Sequence, residues 1–197
     1  MRSKLPESTK VGFLRLIKPF ERSTEDVTKI TRAFGIALKV RNGEFGVENT
    51  AGPSINHPLK VALLITEELR IFEADLVCAA LLHDISYSDE VTDEVILKEI
   101  GYSTSEILRV STIPPFNKDE REKILGDYFK YLTNSSLFAR YLVLADRLEN
   151  VRVLKNTSHK NKISRYREET EKYLIPLARR TDENIAFKLS IALYELR

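Results

Sequence analysis

A single cysteine, Cys78, denies the 197-residue chain any intrachain disulfide. Its neighbours are apolar, Leu76-Val77 before it and Ala79-Ala80-Leu81-Leu82 after it, so it reads as a core thiol in a reducing compartment. With only seven glycines and seven prolines the chain is neither collagen-like nor a low-complexity segment. Long apolar runs are missing too. The longest, Val77 to Leu82, is far too short to span a bilayer, and Met1-Arg2-Ser3-Lys4-Leu5-Pro6 lacks the apolar stretch of a signal peptide. These absences predict a soluble, cytoplasmic protein without a membrane partner. A net charge of +2 makes no case by itself for binding nucleic acid.

What is present is an ordinary globular composition, 43% apolar and 30% charged, enough for a sizeable core in one domain. Charge is unevenly spread. Ser86 to Glu106 holds six acids against one lysine, whereas Lys155 to Arg180 holds eight lysines and arginines against three glutamates. The basic stretch reads either as a solvated helical face or as a wall that receives phosphates.

Apolar residues recur at helical spacing almost everywhere, and no alternating run is long enough for a strand, so the fold class is all-α. Ser23-Thr24-Glu25-Asp26 supplies an N-cap for a helix running through Ile30, Phe34, Ala37 and Leu38 to about Arg41. Residues 42–56 contain Gly43, Gly46, Gly52 and Pro53 and read as a long loop, a candidate rim for a binding site. His57-Pro58 opens a helix reaching about Arg70, and Glu73 to about Ile85 forms a buried helix. Further helices are expected over 93–100, 103–111, 118–132, 137–154, 161–178 and 182–196. The expected organisation is an extension over 1–22, a main domain over 23–180 and a helix over 181–197 packed on that domain.

Polar residues that interrupt apolar helices point to the chemistry. His57 and His83 stand at the ends of apolar segments, and Asp84 follows an apolar run that ends in His83, where a carboxylate is costly to bury without a partner. Asp146 interrupts Tyr141-Leu142-Val143-Leu144-Ala145, and at about 100° per residue it shares a face with Ala139, Leu142, Val143, Asn150 and Val153. Leu144, Leu148 and Val151 occupy the opposite face, so this helix is expected to be buried on both sides. Each residue alone has an ordinary explanation: a helix cap for His57, a core histidine for His83, a surface acid for Asp84, the partner of Arg147 or Arg152 for Asp146. Together, two imidazoles and two carboxylates suit a divalent metal such as Mn, Fe or Zn.

In order, His57, His83-Asp84 and Asp146 resemble the signature of the HD superfamily of metal-dependent phosphohydrolases. Three segments resemble, more narrowly, the hydrolase domain of the RelA/SpoT family, including its stand-alone small members. They are Ile55-Asn56-His57-Pro58-Leu59-Lys60-Val61-Ala62, Ala79-Ala80-Leu81-Leu82-His83-Asp84 and Leu144-Ala145-Asp146-Arg147-Leu148-Glu149-Asn150-Val151-Arg152. The resemblance runs from about Thr24 to Ala178. It implies an all-α, single-domain HD helical bundle, a Mn ion, and removal of the 3′-pyrophosphate from guanosine 3′-diphosphate 5′-(di/tri)phosphate. It also implies metal ligation by His57, His83, Asp84 and Asp146, and substrate contacts from Arg41, Asn150 and Tyr166. One feature departs from the pattern. The family's Glu-Asp pair, associated with the catalytic water, is replaced by Tyr87-Ser88. Proton removal from water then falls to the metal, to Asp84 or to Asp89, and two readings stand: a phosphohydrolase of nucleotides, or a catalytically weak or silent module that binds a nucleotide or a partner protein.

Overall fold

The computed structural model describes residues 5–41, 55–85, 91–155 and 157–196. Among these residues every regular element is helical and there is no strand, so the all-α expectation holds. The chain divides into two compact units, Met1–Leu108 and Arg109–Arg197. No helix among the described residues is long and apolar enough to cross a membrane.

The first unit contains α1 (Glu7–Ile17), α2 (Thr24–Arg41), α3 (Asn56–Leu63), α4 (Ala74–Leu82), α5 (Asp93–Glu99) and most of α6 (Tyr102–Ser111). The predicted cap of α2 is made: the Asp26 N–H donates to Ser23 Oγ at 3.2 Å. Helix α4 packs against both α2 and α3. Every residue from Leu76 to Leu82 is buried, as its all-round apolar pattern predicts. Its first turn is held by Asp75, which accepts hydrogen bonds from Lys29 Nζ at 2.5 Å and Thr104 Oγ1 at 2.6 Å.

The helix expected to reach Arg70 is α-helical only to Leu63 and widens into a π-helical turn over Leu64–Glu68. Thr66 Oγ1 bonds back to the Ala62 and Leu63 carbonyls at 3.3 Å, competing with the regular ladder. Arg70 then takes a left-handed φ of 59°, which lets the Ile71 N–H reach back to the Ile65 carbonyl at 3.1 Å.

The second unit contains α7 (Arg121–Thr133), α8 (Leu137–Leu154), α9 (Lys160–Glu169), α10 (Ile175–Arg179) and α11 (Glu183–Glu195). Helix α8 packs against α7, α10 and α11. Both of its faces are largely buried, as expected, but Val153 is 46% exposed and so departs from the face assigned to it. The helix predicted over 161–178 is interrupted by a π-helical turn over Thr170–Leu174, just before Pro176, whose ring nitrogen has no hydrogen to continue the ladder. Asp182 caps α11 by accepting from the Asn184 and Ile185 N–H groups at 2.7 and 3.2 Å. The same carboxylate accepts from Tyr141 Oη at 2.9 Å, fastening α8 to the start of α11.

Candidate metal centre

Two helix ends in the first unit bring the histidines together. His57 lies in the first turn of α3, while His83 caps the C-terminus of α4 and Asp84 follows it. Because α3 and α4 pack against one another, their polar ends meet. One donor atom each from His57, His83 and Asp84 lies within 4.8 Å of the other two. The two imidazole rings meet edge to face with centroids 5.3 Å apart. His57 Nε2 is 3.9 Å from Asp84 Oδ2, and His83 Nε2 is 3.1 Å from Asp84 Oδ1.

The ring of His83 is oriented by the backbone. Its Nδ1 lies 2.8 Å from the carbonyl oxygen of Ala80, so in the neutral imidazole the proton resides on Nδ1 and the Nε2 lone pair is directed at the Asp84 carboxylate. Two lone pairs 3.1 Å apart repel unless a proton or a cation stands between them. A side-chain imidazole locked through its other nitrogen to a carbonyl is also the usual arrangement of a metal-ligating histidine. The residues present therefore fit a divalent ion. Each of the three side chains is partly shielded, with exposures of 20% for His57, 13% for His83 and 23% for Asp84.

The remaining candidates belong to other elements of the chain. Asp146 belongs to α8 in the second unit, and its Oδ1 accepts a hydrogen bond from Asn150 Nδ2 at 2.7 Å, one helical turn on. Asn150, expected to face substrate, thus also orients this carboxylate. Tyr166, on α9, has the guanidinium of Arg147 4.5 Å from its ring centroid, with Lys162 Nζ and Arg165 Cζ at 5.6 and 5.9 Å. Arg147 itself turns to Glu169 at 3.4 Å, and Arg121 pairs with the same carboxylate. Neither arrangement follows from reading the sequence, where Arg147 stands only as one conceivable partner of Asp146. Lys155 pairs with Glu195 at 3.2 Å. Arg41 is the last residue of α2, and its side chain lies outside the described part. Asp89 and Tyr87-Ser88 lie outside the described residues, as does 42–54 of the loop read as a rim over 42–56, whose last residue, Asn56, instead opens α3.

Comparison with known proteins gives a family and a fold. A family model described as an HD domain matches residues 33–183. A guanosine-3′,5′-bis(diphosphate) 3′-pyrophosphohydrolase MESH1 from Danio rerio is 32% identical over 103 residues, covering 52% of this chain and 56% of its own. The MESH1 of Homo sapiens is 35% identical over 106 residues, with the same shares covered. A guanosine-3′,5′-bis(diphosphate) 3′-pyrophosphohydrolase of Haemophilus influenzae is 31% identical over 149 residues, which are 74% of this chain and 21% of that protein. The chain thus spans about half the length of the MESH1 relatives it matches. A solved structure described as "A metazoan ortholog of SpoT hydrolyzes ppGpp and plays a role in starvation responses" superposes with a TM-score of 0.70 at 23% identity. The superposition covers 85% of this chain and 94% of that one, and it shows the shared fold.

Proposed function

The chain belongs to the HD domain family, and on that premise we propose that it is a metal-dependent phosphohydrolase of nucleotides whose substrate is guanosine 3′-diphosphate 5′-(di/tri)phosphate. The observation that carries this reading is the meeting of His57, His83 and Asp84, with the His83 ring locked through Nδ1 to Ala80. Asp146 is assigned as the fourth ligand on its motif, and Asn150 holds its carboxylate. Imidazole and carboxylate donors in equal number suit a borderline-hard ion, and Mn is the assignment, with Fe and Zn as the alternatives. Once bound, the ion would polarise a phosphoryl oxygen and lower the pKa of the attacking water. In the reaction the water oxygen bonds to phosphorus while the bond from phosphorus to O3′ breaks, releasing pyrophosphate and leaving GDP or GTP.

The chain's own groups supply the rest. Asp84 stands beside both imidazoles, and besides ligating the ion it is assigned to take the water proton in part. Asp89 is the second candidate from sequence. The basic groups around Tyr166 offer donors to phosphate and a ring face to the nucleoside. Arg41 and Asn150 are assigned to the same nucleotide. The compartment assigned is the cytoplasm, in keeping with a single buried cysteine.

Tyr87-Ser88 favours a second reading, in which the nucleotide is bound and hardly turned over. A positioned base contributes about 10² to 10⁴ in rate, so its loss slows hydrolysis without removing binding. The deciding experiment measures metal content, ppGpp binding by titration, and pyrophosphate release with Mn. The phosphohydrolase reading expects bound metal, ppGpp binding and slow release, with the double substitution Tyr87→Glu, Ser88→Asp faster by about tenfold. Binding without release in either protein would establish the silent module. Absence of ppGpp binding in both would remove this substrate.

A further inference from the structure

Helix α1 precedes residue 33, where the HD family match begins, yet it is built into the helix that carries His57. Its buried residues are Thr9, Gly12 and Leu16, and its packing partner is α3. Two contacts fix the seat. Thr9, 1% exposed, donates from Oγ1 to Asn56 Oδ1 at 2.8 Å, across 47 residues of chain. Asn56 is the first residue of α3 and the neighbour of His57; Ile55, before it, offers the helix no side-chain cap. The second contact is a close approach. A Cβ on Gly12 would lie 3.0 Å from Leu59 Cδ2, and Leu59, two residues beyond His57, is only 3% exposed and has little room to yield. Phe13 stacks on Phe34 of α2, with centroids 4.2 Å apart, and ties α1 to α2 as well.

The first turn of α3 is thus held from α1 on both sides of His57, at Asn56 by a hydrogen bond and at Leu59 by packing. We propose that Thr9 is a positioning residue for His57, acting through Asn56 to keep the imidazole within reach of Asp84 and His83, and that α1 is part of the frame of the metal centre. The inference rests on the reading of His57 as a metal ligand. A side chain that orients a ligand typically contributes tenfold to a hundredfold in metal affinity.

The test uses the full chain, stripped of metal and titrated with Mn²⁺, as wild type and as Thr9→Val, Thr9→Ser and Gly12→Ala. Thr9→Val keeps the shape and removes the donor, and it is expected to weaken Mn²⁺ binding about tenfold. Thr9→Ser, which keeps the donor, should restore it. Gly12→Ala keeps the hydroxyl but pushes α1 from Leu59, and should also weaken binding, so it serves where Thr9→Val fails to fold. A purely structural role for Thr9 would lower the metal-free Tm and leave the affinity of the folded protein unchanged. Wild-type affinity in folded Thr9→Val, or affinity as weak in Thr9→Ser as in Thr9→Val, would overturn the proposal while leaving His57 a ligand. Absence of Mn²⁺, Zn²⁺ or Co²⁺ binding by the wild type would overturn both readings at once.

Discussion

The imidazole of His83 carries the most specific chemical information in the first unit, because its Nδ1 is committed to Ala80 and its Nε2 faces Asp84. His83→Ala removes that donor and Asp84→Asn replaces its anionic neighbour with an amide. Both substitutions are expected to bring bound metal from near one ion per chain to near none, measured by elemental analysis of folded protein. Cys78 illustrates the opposite case of a buried group with no role at the site. Burial, opposed by the charge of Lys29 and helped by those of Asp75 and Asp26, pushes its thiol from 9.0 up to about 12. The sign follows from which state keeps the proton. Below pH 9 both states hold it and the thiol costs nothing, whereas between about 9 and 12 the unfolded chain releases a proton that the folded chain retains. Stability should therefore fall by up to about 1.4 kcal/mol per pH unit in that window. Urea unfolding followed from pH 8 upward should show a shallower decline in Cys78→Ala; an identical slope would remove Cys78 as the cause.

Helices here are fastened at their ends by single carboxylates. Asp182 caps α11 and accepts from Tyr141, whose phenol is raised to about 12 by burial first and by this hydrogen bond second. Asp182→Ala is expected to cost about 2 kcal/mol in chemical denaturation and to lower the Tyr141 midpoint in a spectrophotometric titration. Glu169 does similar work for α9, a helix with no buried residue, by receiving both Arg121 and Arg147. Its removal leaves two guanidinium groups, 33% and 13% exposed, without their shared carboxylate. Glu169→Ala should cost about 3 kcal/mol and make Lys160 to Arg167 the earliest sites cut by trypsin. Earliest cleavage within α8 instead would mean that α9 is secured by other contacts.

For the whole molecule, metal binding and stability are linked quantities. An ion that binds the folded chain alone stabilises it by about 2.7 kcal/mol at a hundred times its Kd. Saturating Mn²⁺ should raise the Tm of the wild type by several degrees and do nothing for His57→Ala. Asp146→Ala tests the assignment made on motif: loss of the shift makes Asp146 a ligand, and an undiminished shift limits the centre to the first unit's three residues.

The helical class, the starts of α2 and α11, the bounds of α8 and the candidate ligands are all readable from residue order alone. These are legible because caps, apolar periodicity and costly buried charge are local or compositional signals. What tertiary structure decided is what joins distant segments. The pairing of His57 with His83 and Asp84 needs α3 packed on α4. The π-helical turns at Leu64–Glu68 and Thr170–Leu174 are settled by the backbone and its neighbours rather than by propensity. Helix α1 is the clearest case. Its buried face reads Thr9, Gly12, Leu16, one large apolar residue among three, so the stretch reads only as an extension. Close approach of two helices selects small residues, and small residues leave almost no hydrophobic period to read. The contact that seats the first turn of α3 is therefore the one its own sequence conceals.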